Sequence, residues 1–216
     1  MTAAFRTCLV TDRRALGADW IAELPALAGR AAEAGIDLVQ VRERGLDGRA
    51  LAHVVRACRE QVRGSATRLL VNDRLDVALG EGADGVHLPG HGLRPSEVRP
   101  SVPPGFLIGR SVHPGDLDPH NVQGADFAIF GTVFPSASKP GVPGCGLEAL
   151  AQAVRTLGLP VLAIGGVDGS RLSGLAGTGA AGVAAIGWFG TPSVEDLRQR
   201  VRLVHDAFDT LGRQLP

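Results

Sequence analysis

Eight short apolar runs, most of them separated by segments of helical pattern, leave this chain few folds to choose from. They are Cys8 to Val10, Leu38 to Val41, Leu69 to Val71, Gly85 to Leu88, Leu107 to Ile108, Phe127 to Phe130, Val161 to Ile164 and Gly182 to Ile186. Runs that are apolar on both faces suit parallel strands covered by helices, because the strands of a half-exposed sheet would alternate apolar with polar. The helical segments are clearest at Trp20 to Ala34, Arg49 to Gln61, Leu147 to Leu157 and Ser193 to Leu211. In the last of these Ser193 is placed to cap, Glu195 and Asp196 fall in the first turn, and Val194, Leu197, Val201, Val204 and Phe208 share one face. The fourth connection, through Leu93 to Arg99, is short and broken by prolines, a weak case for a helix. Eight alternations within 216 residues predict a closed (β/α)8 TIM barrel, one domain spanning residues 1–216 with no linker-like stretch. A doubly wound open sheet is the alternative.

Charge and cysteine usage narrow the function. Lys plus Arg and Asp plus Glu are 22 each, so no general attraction to nucleic acid or membrane is expected, and any anion site is local. No segment approaches 18 uninterrupted apolar residues and no export signal is visible. The three cysteines, Cys8, Cys58 and Cys145, are odd in number and lack metal-ligand spacing, which fits a reducing cytoplasm. Association into a homo-oligomer is left open.

Polar residues collect just beyond the apolar runs, and in a parallel barrel all of those positions converge on one rim. Lys139 stands out as the only lysine in the chain, in a Gly/Pro-rich loop after the sixth run and behind the hydroxyls of Ser136 and Ser138. An ammonium is a compact point charge that can meet a phosphate oxygen or leaving group where a planar guanidinium does not fit. Gln40, Arg42 and Arg44 lie on one side of an extended strand and could grip the oxygens of a phosphate or diphosphate. Asn72 and Asp73 offer hard oxygens to Mg²⁺, or a cap to a helix starting near Arg74. Gly165, Gly166 and Gly187 end the seventh and eighth runs, where bare backbone N–H groups can cradle a phosphate. His87 and His113 are on the rim as well, although a histidine at a strand end more often makes a local hydrogen bond than transfers protons.

Six stretches in order, Gln40-Val-Arg-Glu-Arg44, Val71-Asn-Asp-Arg74, Asp84-Gly-Val-His-Leu88, Ile108-Gly-Arg-Ser-Val-His113, Phe130-Gly-Thr-Val-Phe-Pro-Ser-Ala-Ser-Lys139 and Ala163-Ile-Gly-Gly-Val167, resemble the thiamine phosphate synthase and TenI superfamily. The resemblance implies a thiamine-biosynthesis enzyme that joins a hydroxymethylpyrimidine diphosphate to a thiazole phosphate and releases pyrophosphate. It implies the diphosphate on Gln40, Arg42, Asn72, Ser111 and Lys139, with Ser111 and Lys139 catalytic and Arg44 where a synthase usually has lysine. It implies the thiazole phosphate against Ser136, Ser138, Gly166, Ile186 and Gly187, and Mg²⁺ on Asp73 and a second aspartate. At that second position this chain has Gly92, so a weak or substrate-dependent metal site is expected. The segment Pro89 to Gly92 looks more like TenI, whose characterised members are thiazole tautomerases, yet the general acid/base histidine of that pattern is Thr132 here. A non-catalytic phosphate-binding or regulatory protein is the remaining alternative.

Overall fold

The eight runs form eight strands that pair in parallel, each with the next, and the last returns to the first to close a barrel. The structure, a computed structural model, describes residues 5–191 and 193–212. The strands are β1 (Thr7–Val10), β2 (Leu38–Val41), β3 (Arg68–Asn72), β4 (Gly85–Leu88), β5 (Leu107–Val112), β6 (Phe127–Gly131), β7 (Val161–Ile164) and β8 (Gly182–Ala185). The chain is a (β/α)8 barrel, and the open-sheet alternative is excluded by the β1–β8 pairing.

Two strands run further than their apolar residues suggested. Asn72 ends β3 and Ser111 lies inside β5, whereas both were expected to follow their strands. Inward positions near the C-terminal ends face the barrel mouth instead of the core, so polar residues there do not terminate a strand. Conversely, β8 ends at Ala185, one residue before Ile186.

The helices are α1 (Trp20–Ala34), α2 (Gly48–Val62), α3 (Leu75–Gly80), α4 (Pro95–Val98), α5 (Gly146–Leu157), α6 (Leu172–Ala176) and α7 (Val194–Gly212). Ser193 caps α7 by accepting from the Asp196 backbone N–H at 3.1 Å, and Leu197, Val201, Val204 and Phe208 are buried beneath it. The doubtful fourth connection does make a single turn, α4, with Pro95 in its first position and the Glu97 carboxylate accepting from the Arg94 N–H at 2.6 Å. Between β5 and β6 only two 3-10 turns occur, Pro114–Asp116 and Pro119–Val122. Neither Asn72 nor Asp73 caps α3, which starts after Arg74 without a side-chain cap.

Two apolar layers result from the two-residue strand period. Leu9, Val39, Val71, Val86 and Ile108 point outward against the helices. Cys8, Val10, Leu38, Leu70, Phe127, Ile129, Leu162 and Ala184 fill the barrel interior. Gly109 belongs to the interior set: a Cβ there would lie 2.5 Å from both His87 Nδ1 and Phe127 Cζ, so the glycine makes room for two rings.

At the N-terminal end of the barrel an aspartate precedes every even strand up to β6 and secures its odd neighbour. Asp37 accepts from the N–H groups of Arg6 and Thr7 at 2.8 and 2.9 Å and from the Thr7 hydroxyl at 2.9 Å. Asp84 accepts from Leu69 N–H at 2.8 Å, and Asp126 from Ile108 N–H at 2.7 Å. Hydrogen bonds to a charged acceptor contribute roughly 1.5–3 kcal/mol. Asp37→Ala is therefore expected to destabilise the protein by at least about 2 kcal/mol, measured by urea unfolding, because three donors at the β1 start lose one acceptor.

His87 generates a pH dependence. Its side chain is buried, and burial first, then the charges of Arg110 and Arg42, push its pKa down from the ordinary 6.5 to about 3. Between those values the unfolded chain takes up a proton that the folded chain refuses. Stability is thus complete above about pH 6.5 and falls as the pH drops, by roughly 1.4 kcal/mol per pH unit from this group. Replacing His87 by Gln should make unfolding free energy measured from pH 6.5 to 4 less acid-sensitive by up to that slope. An unchanged slope would show that His87 titrates normally.

Candidate active site

The barrel mouth holds a cavity of about 480 Å³ whose walls are the C-terminal ends of the strands and the loops after β1, β2, β4 and β6. Nine of the residues expected at the site line it: Gln40, Arg42, Arg44, Asn72, Ser111, Ser136, Ser138, Lys139 and Ile186. They come from five regions of the chain, and closure of the barrel is what brings them together.

The electrostatics are lopsided. Arg42 is partly buried; desolvation first, then the positive charge of Arg44, lowers its pKa. Lys139 is lowered for the same reasons, burial first and then Arg42 and Arg44, so the three cations share one field although two of them sit on a different loop from the third. Among the described residues none of the three has a carboxylate partner. The acids lining the cavity are committed elsewhere. Asp12 is held by Arg14, with Nε at 2.8 Å and Nη2 at 2.6 Å. Glu43, buried, accepts from the Thr11 hydroxyl at 2.5 Å and from Arg13 N–H at 3.1 Å. A partly desolvated cation without a counterion is unfavourable until an anion arrives.

Below the cations lies a polar floor. Gln40 Nε2 donates to Asn72 Oδ1 at 2.9 Å, and His87 Nε2 meets Ser111 Oγ at 2.8 Å. Two buried atoms of this floor have no partner, Gln40 Oε1 and His87 Nδ1. At the rim, His113 Nδ1 donates to Gly131 O at 2.6 Å, next to the buried hydroxyl residue Thr132.

Gly166 and Gly187 line a second, adjoining cavity of about 510 Å³, which shares Ser136, Ser138, Ile164, Gly165 and Ile186 with the first. The two glycines differ in kind. Gly166 has φ +59°, and a Cβ on it would come within 2.6 Å of Pro135 O and 2.7 Å of an Arg171 nitrogen, so the fold itself requires glycine. At Gly187 an added Cβ would meet nothing within 4 Å. Gly166 is therefore required by the fold whether or not it also admits a ligand, and Gly187 is not. The helix after β7 is also only a five-residue segment, reached through a 3-10 turn.

Asp73 is exposed, with φ +66°, and lines neither cavity. Its backbone N–H donates to His87 O at 2.9 Å. Among the described residues no group of three or more His, Cys, Asp or Glu side chains is arranged to hold a metal. One rim carboxylate beside a cationic cavity suits Mg²⁺ only as an ion whose remaining ligands are substrate oxygens and water.

Three residues that shape the site escaped the sequence reading. Arg110 is buried and donates to Leu93 O at 2.7 Å and Gly90 O at 2.8 Å, fixing the loop after β4. Arg171 stacks on Phe134, with 4.7 Å from guanidinium to ring centroid, and donates to Gly166 O, joining the loops after β6 and β7. Glu43 ties the loop after β1 to Arg42, since the Thr11 hydroxyl it anchors accepts from Arg42 N–H at 2.9 Å. Arg110 had a signal in sequence: a charge on the helix-covered face of a strand needs partners.

Comparison with known proteins agrees with this geometry. Residues 7–189 match the family model described as thiamine monophosphate synthase. The chain is 42% identical over 164 residues to a thiamine-phosphate synthase of Methanoculleus marisnigri, covering 74% of this chain and 77% of that one. It is 41% identical over 187 residues to a putative thiamine-phosphate synthase of Geobacter sulfurreducens, covering 84% and 85%. A solved thiamine phosphate pyrophosphorylase from Pyrococcus furiosus superposes with a TM-score of 0.79 at 27% identity, covering 94% of this chain and 97% of that one. A barrel with this site, matched over nearly its whole length, belongs to the thiamine monophosphate synthase family.

Proposed function

We propose that this enzyme joins a hydroxymethylpyrimidine diphosphate to a thiazole phosphate, with loss of pyrophosphate. The convergence of Arg42, Arg44 and Lys139, free of carboxylate partners among the described residues, is the observation that carries the reading. The bond between the pyrimidine methylene carbon and the diphosphate oxygen breaks with its electron pair leaving on oxygen. The thiazole nitrogen lone pair then fills the empty carbon orbital and forms the C–N bond, giving a thiazolium without release of a proton. Such a step needs the growing charge on the leaving group neutralised at fixed positions, away from water.

The three cations and Ser111 are suited to that task. Gln40 can serve two. One N–H of its amide is given to Asn72 and the second remains for a phosphate oxygen, while the buried, unpartnered Oε1 suits an amino group on the pyrimidine. Ser136, Ser138 and the backbone at Ile186 and Gly187 bound the neighbouring cavity, where the thiazole phosphate would sit. Mg²⁺, when bound, supplies further positive charge to the diphosphate, and Asp73 is the side chain available to it. Thr132 offers no imidazole for tautomerisation, which leaves the TenI-like segment Pro89 to Gly92 without the group that reaction needs.

Purified protein incubated with both substrates and Mg²⁺ should yield thiamine phosphate and pyrophosphate in equal amounts, and less product when EDTA is present. Lys139→Ala should weaken pyrophosphate binding, measured by calorimetry, by roughly 1.5–3 kcal/mol. Unchanged affinity would remove Lys139 from the site.

The second cavity has its own test. Gly187→Val should leave the melting temperature unaltered, because the position is open, while raising the KM for the thiazole phosphate. Gly166→Val should lower the melting temperature itself. A Gly187→Val enzyme with native KM would move the phosphate elsewhere.

A further inference from the structure

The reaction proposed above leaves one buried group of the cavity floor without a task. His87 is 1% exposed, stands in β4 opposite Gly109 of β5, and makes one side-chain hydrogen bond, Nε2 to Ser111 Oγ at 2.8 Å. Its Nδ1 has no partner and is packed where a Cβ on Gly109 would lie, 2.5 Å away.

The orphaned nitrogen decides where the proton is. With the proton on Nδ1, a buried N–H would be left unmade. With it on Nε2, only a lone pair is left, facing the Gly109 Cα, and a vacant acceptor is tolerated better than a vacant donor. A proton on both nitrogens would leave the same buried Nδ1–H without an acceptor. Nε2 is thus the donor and Ser111 Oγ the acceptor. The serine then keeps its own proton to give, and Ser111 lines the cavity that Arg42, Arg44 and Lys139 also enter.

We propose that His87 is a positioning residue, which donates Nε2–H to Ser111 Oγ and so turns the serine O–H into the cavity as a fixed donor to the departing diphosphate. A serine hydroxyl alone rotates and can satisfy itself on a nearby carbonyl, whereas one already accepting from imidazole has its remaining directions restricted. Gly109 belongs to the same device, because any side chain there would displace the ring. This assignment rests on the condensation reading.

The test uses His87→Leu, His87→Gln, Ser111→Ala and the His87→Leu/Ser111→Ala double variant. Ser111→Ala and His87→Leu should each lower kcat by about 10²-fold, the scale for one lost donor to a developing anion. The double variant should be no slower than the slower single one. His87→Gln, whose side-chain N–H reaches the place of Nε2, should recover most of the rate lost in His87→Leu, with the KM for thiazole phosphate steady. Multiplicative losses in the double variant, or a His87→Gln enzyme that melts like the native protein but is as slow as His87→Leu, would overturn the proposal.

Should His87→Leu not fold, ¹⁵N NMR of histidine-labelled native protein at pH 7 decides the point: a bare Nδ1 with a protonated Nε2 supports it, and a proton on Nδ1 refutes it. If native protein does not condense the two substrates, the reaction reading fails. Pyrophosphate affinities of the same variants then judge the dyad independently, with equal losses for His87→Leu and Ser111→Ala expected and a loss in Ser111→Ala alone contradicting it.

Discussion

Closure of the sheet by the β1–β8 pairing is the constraint on which everything else in this molecule depends. Strands as short as four residues present only about two inward side chains each. The lower set, including Leu38, Leu70, Phe127 and Leu162, is apolar and makes the interior core. The next set in the same strands includes Gln40, Asn72 and, through the register Asn72 to His87, the histidine and its Ser111 partner. Core therefore passes into active site within a single step of the strand period. An error of one residue in register would turn this polar layer out against the helices and Val39, Val71 and Val86 inward.

The zero net charge conceals a polar division of labour along the barrel axis. Carboxylates at the N-terminal end, Asp37, Asp84 and Asp126, accept from backbone N–H groups, and Asp84 and Asp126 also pair with Arg68 and Arg99. At the C-terminal end Arg14 is paired with Asp12, whereas Arg42, Arg44 and Lys139 have no such partner among the described residues. Assembling Arg42, Arg44 and Lys139 in one field is unfavourable in the empty protein, as the lowered pKa values of Arg42 and Lys139 express. The lower rim helps to offset that cost. Glu43 contributes locally, since it is the one buried carboxylate in the cavity wall and pins the backbone from which Arg42 and Arg44 project.

The architecture was legible because its signal is repetitive. Eight doubly apolar runs cannot be satisfied by many folds, and Trp20 to Ala34 was bounded to the residue. Much of the cavity lining could be named as well, since polar residues after apolar strands of a parallel barrel have one place to go. What could not be read is how those residues are spent. Gly166 and Gly187 look alike in sequence, yet one is required by Pro135 and Arg171 across the fold and the other by nothing in the protein. Gln40 was grouped with Arg42 by strand period, and its bond to Asn72, which takes one of its two amide N–H groups and leaves Oε1 unpartnered, is not visible in the sequence. Asp73 is a ligand candidate by position in the chain, and neither its left-handed backbone nor its place outside both cavity linings can be read from that position. The first two of these depend on contacts between segments about 30 residues apart, Pro135 with Gly166 and Gln40 with Asn72, which local pattern does not encode.

The same distinction bears on Gly92, where a synthase of this family is expected to carry a carboxylate. The loop from Pro89 to Gly92 is a tight turn, closed by the Gly92 N–H donating to Pro89 O at 3.0 Å. Arg110 fastens it from beneath through the carbonyls of Gly90 and Leu93. A Cβ on Gly92 would point at the Pro89 ring, 3.1 Å from Cγ, and that contact is close enough to require the ring to yield. A carboxylate introduced at this position would thus start out against the Pro89 ring of its own loop. The missing aspartate is consequently part of a loop conformation as much as a missing ligand, because the buried guanidinium of Arg110 cannot release those carbonyls without being left unpaired. In the proposed reaction, charge neutralisation of the diphosphate would accordingly fall more heavily on Arg42, Arg44 and Lys139, which already lie in one field and have no acidic partner among the described residues to give up first.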